Sequence, residues 1–245
     1  MVSRIERDNP KSCSEKTERE RYLARLKLER VDVDNLAQMQ EILKMEKDPP
    51  NMVHLADISE KTGISDIIQH YKKSPEERDS RIILDGKHVV AVFDVSPFDP
   101  SRIGIPDDGA WKIKSAFLNR LVVRSDKQNC GIGTKAVAYA EDVAFREHDY
   151  PTLIAGIILD DEQVIAYDEA IENKNRDGFI QKYMRTDARG TIYLVKRGWE
   201  FSGVLRKQGG FKEGVLNSVL LIQKDKEVWE KEQNQAQNKN PLKDE

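Results

Sequence analysis

At 245 residues the chain can bury a substantial core, in one large domain or two small ones. Charged residues make up 34% and hydrophobic ones 38%, with a net charge of −3, so no overall basic field favours nucleic acid or an acidic membrane. The two cysteines, Cys13 and Cys130, form no disulfide framework, and the four histidines (His54, His70, His88, His148) lack zinc-ligand spacing.

Residues 1–21 are charged and read as a loose or helical arm. Leu26 to Val31 alternates apolar and charged positions, as in a half-buried strand. Asp34 is placed to cap a helix with the apolar face Leu36, Met39, Ile42 and Leu43, which Pro49-Pro50 breaks. A second helical pattern carries Ile64, Ile67, Ile68 and Tyr71. Arg81–Leu84 and His88–Phe93 flank Asp85-Gly86, a hairpin signal, and Pro97 to Gly109 is rich in turn formers. A long strand is expected from about Lys114 to Val123, running into Gln128-Asn129-Cys130-Gly131-Ile132-Gly133-Thr134. The helix that follows buries Ile132, Ala136, Ala140, Val143 and Ala144, and Pro151 marks its end. Thr152 to Leu159 is continuously apolar, as in a strand covered on both faces. A polar stretch, Asp160 to Thr186, is expected to be helical over Glu162 to Glu172, and a short helix follows near Asp187 to Arg197. Strands at Trp199–Arg206 and Val215–Ile222 are expected to join through Gly209-Gly210, ahead of a charged tail, helical at first if at all.

The glycine stretch carries the chemistry. A helix N-terminus leaves backbone N–H groups unpartnered, and its dipole adds partial positive charge. Gly131 and Gly133 let an anion approach the backbone, so strand, loop and helix together read as a phosphate cradle. The P-loop pattern is excluded because Thr134 precedes Lys135, and the dinucleotide fingerprint lacks its third glycine. Arg124, Lys127 and Lys135 add local positive charge.

Gln128-x-x-Gly131-x-Gly133 on a strand–loop–helix unit is similar to the acetyl-CoA pyrophosphate loop of the GNAT N-acetyltransferase superfamily. The order strand, two helices, three strands, helix, strand, helix, two strands is also that superfamily's, and the resemblance covers about Tyr22 to Asp225. The opening from Leu26 to Leu36 and the closing Gly198-Trp199-Glu200-Phe201 to Arg206 resemble the branch containing ribosomal-protein alanine N-acetyltransferases. The strand from Gly214 to Ile222, followed by Trp229, fits that branch too. The resemblance implies an α/β (α+β) protein of GNAT fold: a mixed, mostly antiparallel central sheet of six to seven strands flanked by helices. It implies a charged arm over 1–21, an acetyltransferase domain over 22–225 with an insertion at 160–186, and a polar tail over 226–245. The absence of an apolar signal core in Met1–Arg7 and of any bilayer-length apolar run adds the expectation of a soluble cytoplasmic protein, monomeric or homodimeric.

The implied cosubstrate is acetyl-CoA, with no metal. Its pyrophosphate is expected at Gln128, Asn129, Cys130, Gly131, Ile132, Gly133 and Thr134, and its pantetheine amides on backbone groups of Leu121 and Val123. The N–H of Val123 would polarise the thioester carbonyl. Cys130 is read as a small filler rather than an acyl carrier, because no histidine accompanies it. An alkylamine with a pKa near ~10.4 must lose a proton before attack, so a base is needed. The strand before the loop holds no carboxylate, which leaves Asp160 and Asp161 as candidates, with Glu162 beside them. Leu194 stands where the family has its acidic tyrosine, so Tyr193, one residue earlier, is the candidate general acid. The expected acceptor is a primary amine, either a peptide N-terminus or a small polar molecule, drawn by Asp160, Asp161, Glu162 and Asp168. Two other readings stay open: a GNAT-fold module that binds acyl-CoA or a partner without turnover, and a nucleotide-binding α/β protein.

Overall fold

Seven segments of the chain pair into one sheet; those at Asp79–Asp85 and His88–Pro97 are buried at consecutive positions, while the one at Ala116–Val123 alternates. The computed structural model describes residues 13–52, 55, 58–74, 76–99, 115–159, 161–173, 175, 197–212 and 215–239. Helix α1 (Cys13–Arg25) precedes β1 (Lys27–Arg30), and α2 (Leu36–Glu46), α3 (Pro49–Met52) and α4 (Ile64–Tyr71) follow. Then come β2 (Asp79–Asp85), β3 (His88–Pro97), β4 (Ala116–Val123), α5 (Ile132–Asp142) and β5 (Thr152–Leu159). Helix α6 (Asp161–Glu172), β6 (Glu200–Lys212), β7 (Val215–Asp225) and α7 (Lys226–Lys239) complete the described chain. The sheet order is β1-β2-β3-β4-β5-β7-β6, with β4–β5 the one parallel pair and the other neighbours antiparallel. No helix among the described residues is long and apolar enough to cross a membrane.

Two apolar layers cover the sheet. On one face Ile132, Ala136, Val137 and Ala140 of α5 pack with Ala91, Phe93, Ala116, Leu118, Leu153 and Ala155. On the other, Met39, Ile42 and Met45 of α2 and Ile67 and Tyr71 of α4 pack on Ile82, Val92 and Val122. The hairpin turn falls at Gly86, whose φ of 64° is left-handed. Helix α5 ends in a wider π turn at Val143–Glu147 rather than at Pro151, with His148 N–H donating to Val143 O at 3.0 Å.

Several local expectations need correction. Asn35, not Asp34, caps α2, because its side chain accepts from Gln38 N–H at 3.1 Å while Asp32 Oδ1 takes the Asp34 N–H. Leu36 is then turned outward and is 53% exposed. Pro49-Pro50 does more than stop α2: Pro49 opens the short α3, where a missing N–H costs nothing. Gly209-Gly210 lies inside β6, at register shifts in its pairing with β7, and the strands join beyond Lys212. The early tail is ordered: Trp229 of α7 is buried, its ring 5.6 Å from that of Phe145. Helix α6 spans the helical part expected of 160–186 and buries Val164, Ala166 and Ala170, with Ile165 60% exposed. The segments expected as a loop near 100–109 and a helix near 187–196 lie outside the described residues.

Candidate active site

The site is built where two parallel strands part. Strand β4 pairs with β5 only from Ala116↔Leu153 to Leu118↔Ala155, whereas its pairing with β3 continues to Ala91↔Val123. The cause is one extra residue. Val95 pairs with Leu118 and Asp94 with Arg120, so Asn119 bulges and bends β4 away from its neighbour. The bulge also reverses the facing of the strand. Ala116 and Leu118 point to the α5 side, but Arg120 and Val122 point to the α2–α4 side.

Past the bulge, Arg124 N–H donates to Val90 O at 3.0 Å. Counting back by twos, Val122 and Arg120 turn their main-chain groups to β3, while Leu121 and Val123 turn theirs into the gap. Gly156, the first residue of β5 beyond the shared pairing, is exposed at that gap.

The chain then makes a 3₁₀ turn at Ser125–Lys127 and a tight loop with Asn129 at φ 63° and Gly131 at φ 87°. Gly131 is the N-cap of α5 and supplies no side-chain cap, so Ile132 and Gly133 present N–H groups in a turn whose helix offers them no acceptor. Asn129, Cys130, Gly131, Ile132, Gly133 and Thr134 thus form one continuous rim at the end of the gap lined by Leu121 and Val123. Gln128 lies at the foot of this rim: its Nε2 donates to Asn51 Oδ1 at 3.1 Å.

Asn51 was not singled out in the sequence. It is buried, and its Nδ2 donates to Met45 O at 2.8 Å and to Val123 O at 3.1 Å. One amide therefore ties the end of α2, the end of β4 and the loop glutamine together. Gln128 Nε2 also donates to Val123 O, at 3.5 Å, so the Val123 carbonyl is engaged by both amides and the main-chain group left facing the gap is its N–H. Asp48 adds a second tie, accepting from the Ser125 hydroxyl. The signal for both lay in Asp48-Pro-Pro-Asn51, which reads only as a helix break until the fold brings it under β4.

A carboxylate does sit beneath β4, although the strand itself has none. Glu46, at the end of α2, accepts from Arg120 Nη1 at 2.8 Å and from Tyr71 OH at 2.6 Å, and all three side chains are buried. Burial raises the Glu46 carboxyl above its ordinary range, opposed by the Arg120 charge and the Tyr71 hydrogen bond. Burial likewise holds the Tyr71 phenol well above its ordinary value. Beside them, Asp94 accepts from His70 Nε2 at 3.0 Å. These charges hold α2 and α4 to the sheet under the bulge.

Of the proton-handling candidates, Asp160 and Tyr193 lie outside the described residues. Asp161 opens α6, directly after the gap strand β5. Cys130 is partly buried against the α5-side core, and its carbonyl accepts a hydrogen bond. Of the loop cations, Arg124 is held by Asp126 at 2.7 and 3.2 Å, and Lys135 donates to Leu23 O.

Comparison with known proteins bears on this arrangement. The sequence profile of the acetyltransferase (GNAT) family matches residues 39–169, more than half of the chain. The chain is similar in structure to the ribosomal-protein-alanine N-acetyltransferase from Brucella melitensis, with a TM-score of 0.54 at 19% identity, covering 81% of this chain and 99% of that one. An N-acetyltransferase from Staphylococcus aureus Mu50 gives a TM-score of 0.56 at 14% identity, covering 82% and 98%. A spermidine N-acetyltransferase from Vibrio cholerae, solved with CoA and spermine, gives 0.56 at 10% identity, covering 84% and 98%. No curated protein sequence matches.

Proposed function

Given that this chain belongs to the acetyltransferase (GNAT) family, whose members use acetyl-CoA, and is an acyltransferase, we propose that it transfers an acetyl group directly to a primary amine within a ternary complex. The observation that carries this is the parting of β4 from β5 just before a left-handed glycine turn and a helix N-terminus. The open edge of β4 suits an amide-bearing chain, and the rim of N–H groups suits phosphates. Acetyl-CoA brings an activated thioester.

In this reading Gln128, Asn129, Cys130, Gly131, Ile132, Gly133 and Thr134 hold the pyrophosphate, and Leu121 and Val123 hold the pantetheine. The Val123 N–H polarises the acetyl carbonyl, as a single oxyanion donor. Asp160 or Asp161 takes the proton from the amine, and Tyr193 returns one to the departing sulfur. Holding both reactants in register supplies much of the rate, so the scheme does not depend on strong side-chain catalysts. The acceptor is a peptide N-terminus or a small polar amine, in a cytoplasmic monomer or homodimer. Two similar structures bear names of these acceptor kinds, a ribosomal-protein alanine and spermidine, and the carboxylates at the start of α6 suit a cationic acceptor.

CoA release, followed with peptide N-termini, polyamines and aminoglycosides as acceptors, tests the proposal. At least one class is expected to turn over, faster as pH rises and the amine loses its proton. Tight CoA binding with no turnover across the panel would favour the non-catalytic binding module instead.

A further inference from the structure

Helix α1 lies over the glycine loop. Arg19, Tyr22 and Leu23, spaced to share one helical face, meet it together. The Tyr22 ring receives Lys127 Nζ at 5.7 Å and the Arg25 guanidinium at 4.8 Å. Leu23 O accepts from Lys135 Nζ, and Tyr22 and Leu23 both pack on the α5-side core. Arg19 reaches furthest into the loop, where its Nε donates to Cys130 O at 3.2 Å. Its guanidinium stands 2.5 to 3.0 Å from where a Cβ on Gly131 would be. The side chain therefore fills the space that the glycine leaves open, at the rim formed by Ile132 and Gly133.

We infer that Arg19, supplied by the N-terminal helix, binds the pyrophosphate of CoA. This rests on the CoA reading of the loop given above. The cations adjacent in sequence point elsewhere: Arg124 to Asp126, Lys135 to Leu23 O, and Lys127 to the Tyr22 ring. Arg19 alone of these four is seated against the glycine turn. A guanidinium carries five N–H donors in a planar fork, and the Nε bond to Cys130 O uses one and fixes the plane. The remaining edge complements a phosphate as the loop N–H groups do, with a full charge added to their partial ones. Arg19 precedes both the family-matched span, 39–169, and the part of the chain that resembles the family.

The test measures binding of CoA, 3′-dephospho-CoA and pantetheine to the full chain by titration calorimetry, at low and high salt. Arg19→Ala is expected to weaken CoA and dephospho-CoA alike by about ten- to hundred-fold, the usual value of a charged hydrogen bond, with pantetheine unaffected. Arg19→Lys is expected to recover part of the loss, since it keeps the charge and not the fork. The Arg19→Ala protein is also expected to respond less to salt than the parent. Arg21→Ala on the same helix serves as control and keeps parental affinity, and all variants keep the parental melting temperature without ligand. Unchanged CoA affinity in Arg19→Ala overturns the inference. So does tighter binding, which would make α1 a cover that CoA displaces. A loss confined to CoA and absent with dephospho-CoA overturns the pyrophosphate assignment. If the parent protein itself binds neither CoA nor dephospho-CoA, the CoA reading of the loop falls, and Arg19 with it.

Discussion

Gly131 and Gly133 look equivalent in the motif but are constrained for different reasons. Gly131 sits at φ 87°, so an alanine there would cost roughly 1–2 kcal/mol and also displace Arg19. A Cβ at Gly133 would meet Val123 Cγ2 at 3.8 Å, an ordinary contact. Gly131→Ala should therefore lose both stability and CoA affinity, whereas Gly133→Val should stay folded and lose CoA. Denaturation and calorimetry on the two variants check this, and normal CoA binding by both would remove the phosphate-loop assignment. Asn51 is the residue whose role no motif announced. Asn51→Ala removes the Asn51 donor from the Met45 carbonyl and leaves the Val123 carbonyl with only the longer bond from Gln128 Nε2 at 3.5 Å, at a cost of roughly 1–3 kcal/mol. It should also raise the KM for acetyl-CoA, because the end of β4 and Gln128 lose their common tie. Asn51→Asp should be worse, setting a carboxylate oxygen against two carbonyls. Urea denaturation and initial rates distinguish the two variants.

Among the elements, β4 depends on one unpaired residue. Deleting Asn119 would restore regular pairing with Leu118 still opposite Val95 and Arg120 still opposite Asp94, so Arg120 stays with Glu46 and only the bend of β4 away from β5 is lost. The deletion should therefore fold yet bind CoA more weakly, because the gap beside β5 narrows, while Asn119→Ala, which keeps the residue count, should keep parental CoA affinity, as melting and calorimetry would show. The periodicity of β4 was legible, but a single bulge leaves no mark in an apolar–polar pattern. Strand β2 offers a pH test. Burial works against ionisation of Asp79, yet hydrogen bonds from Arg81 at 2.5 and 2.8 Å and from His148 at 2.9 Å hold its carboxyl below the ordinary value. The unfolded chain then takes up the proton first as pH falls. Asp79 therefore contributes stability that is present above the ordinary carboxylate pKa and lost as pH drops through the lower folded value. Asp79→Asn should be less stable than the parent at neutral pH, with the gap closing under acid, measured by urea denaturation across pH.

The whole molecule is closed at its far end by α7, which returns against α5 and β7. Trp229 is buried beside Phe145, and Glu232 accepts from Lys224 Nζ at 2.5 Å. Lys224, Trp199 Nε1 and Arg197 all converge on the buried carboxylate of Glu141 in α5. Ending the chain after Asp225 would expose this network and remove the indole, so unfolding free energy should fall by about 3–5 kcal/mol, the scale of a buried tryptophan lost. A truncated chain with parental stability would show that α7 only decorates the fold. The tail's polar composition concealed this, because two or three apolar residues in a charged helix suffice to dock it once a matching surface exists. Local spacing determined what is local: the helical faces, the hairpin at Gly86, the strand–glycine–helix unit and the family to which it belongs. Each of these is a short-range pattern, set by backbone geometry and side-chain period. The gap between β4 and β5 opens at a bulge set by pairing with β3, and the tie through Asn51, the charge pair of Arg120 and Glu46, and the seating of Arg19 on Gly131 join residues 72, 74 and 111 or more positions apart. Contacts at that range carry no period in the sequence, and packing of the sheet against its helices alone brings them together.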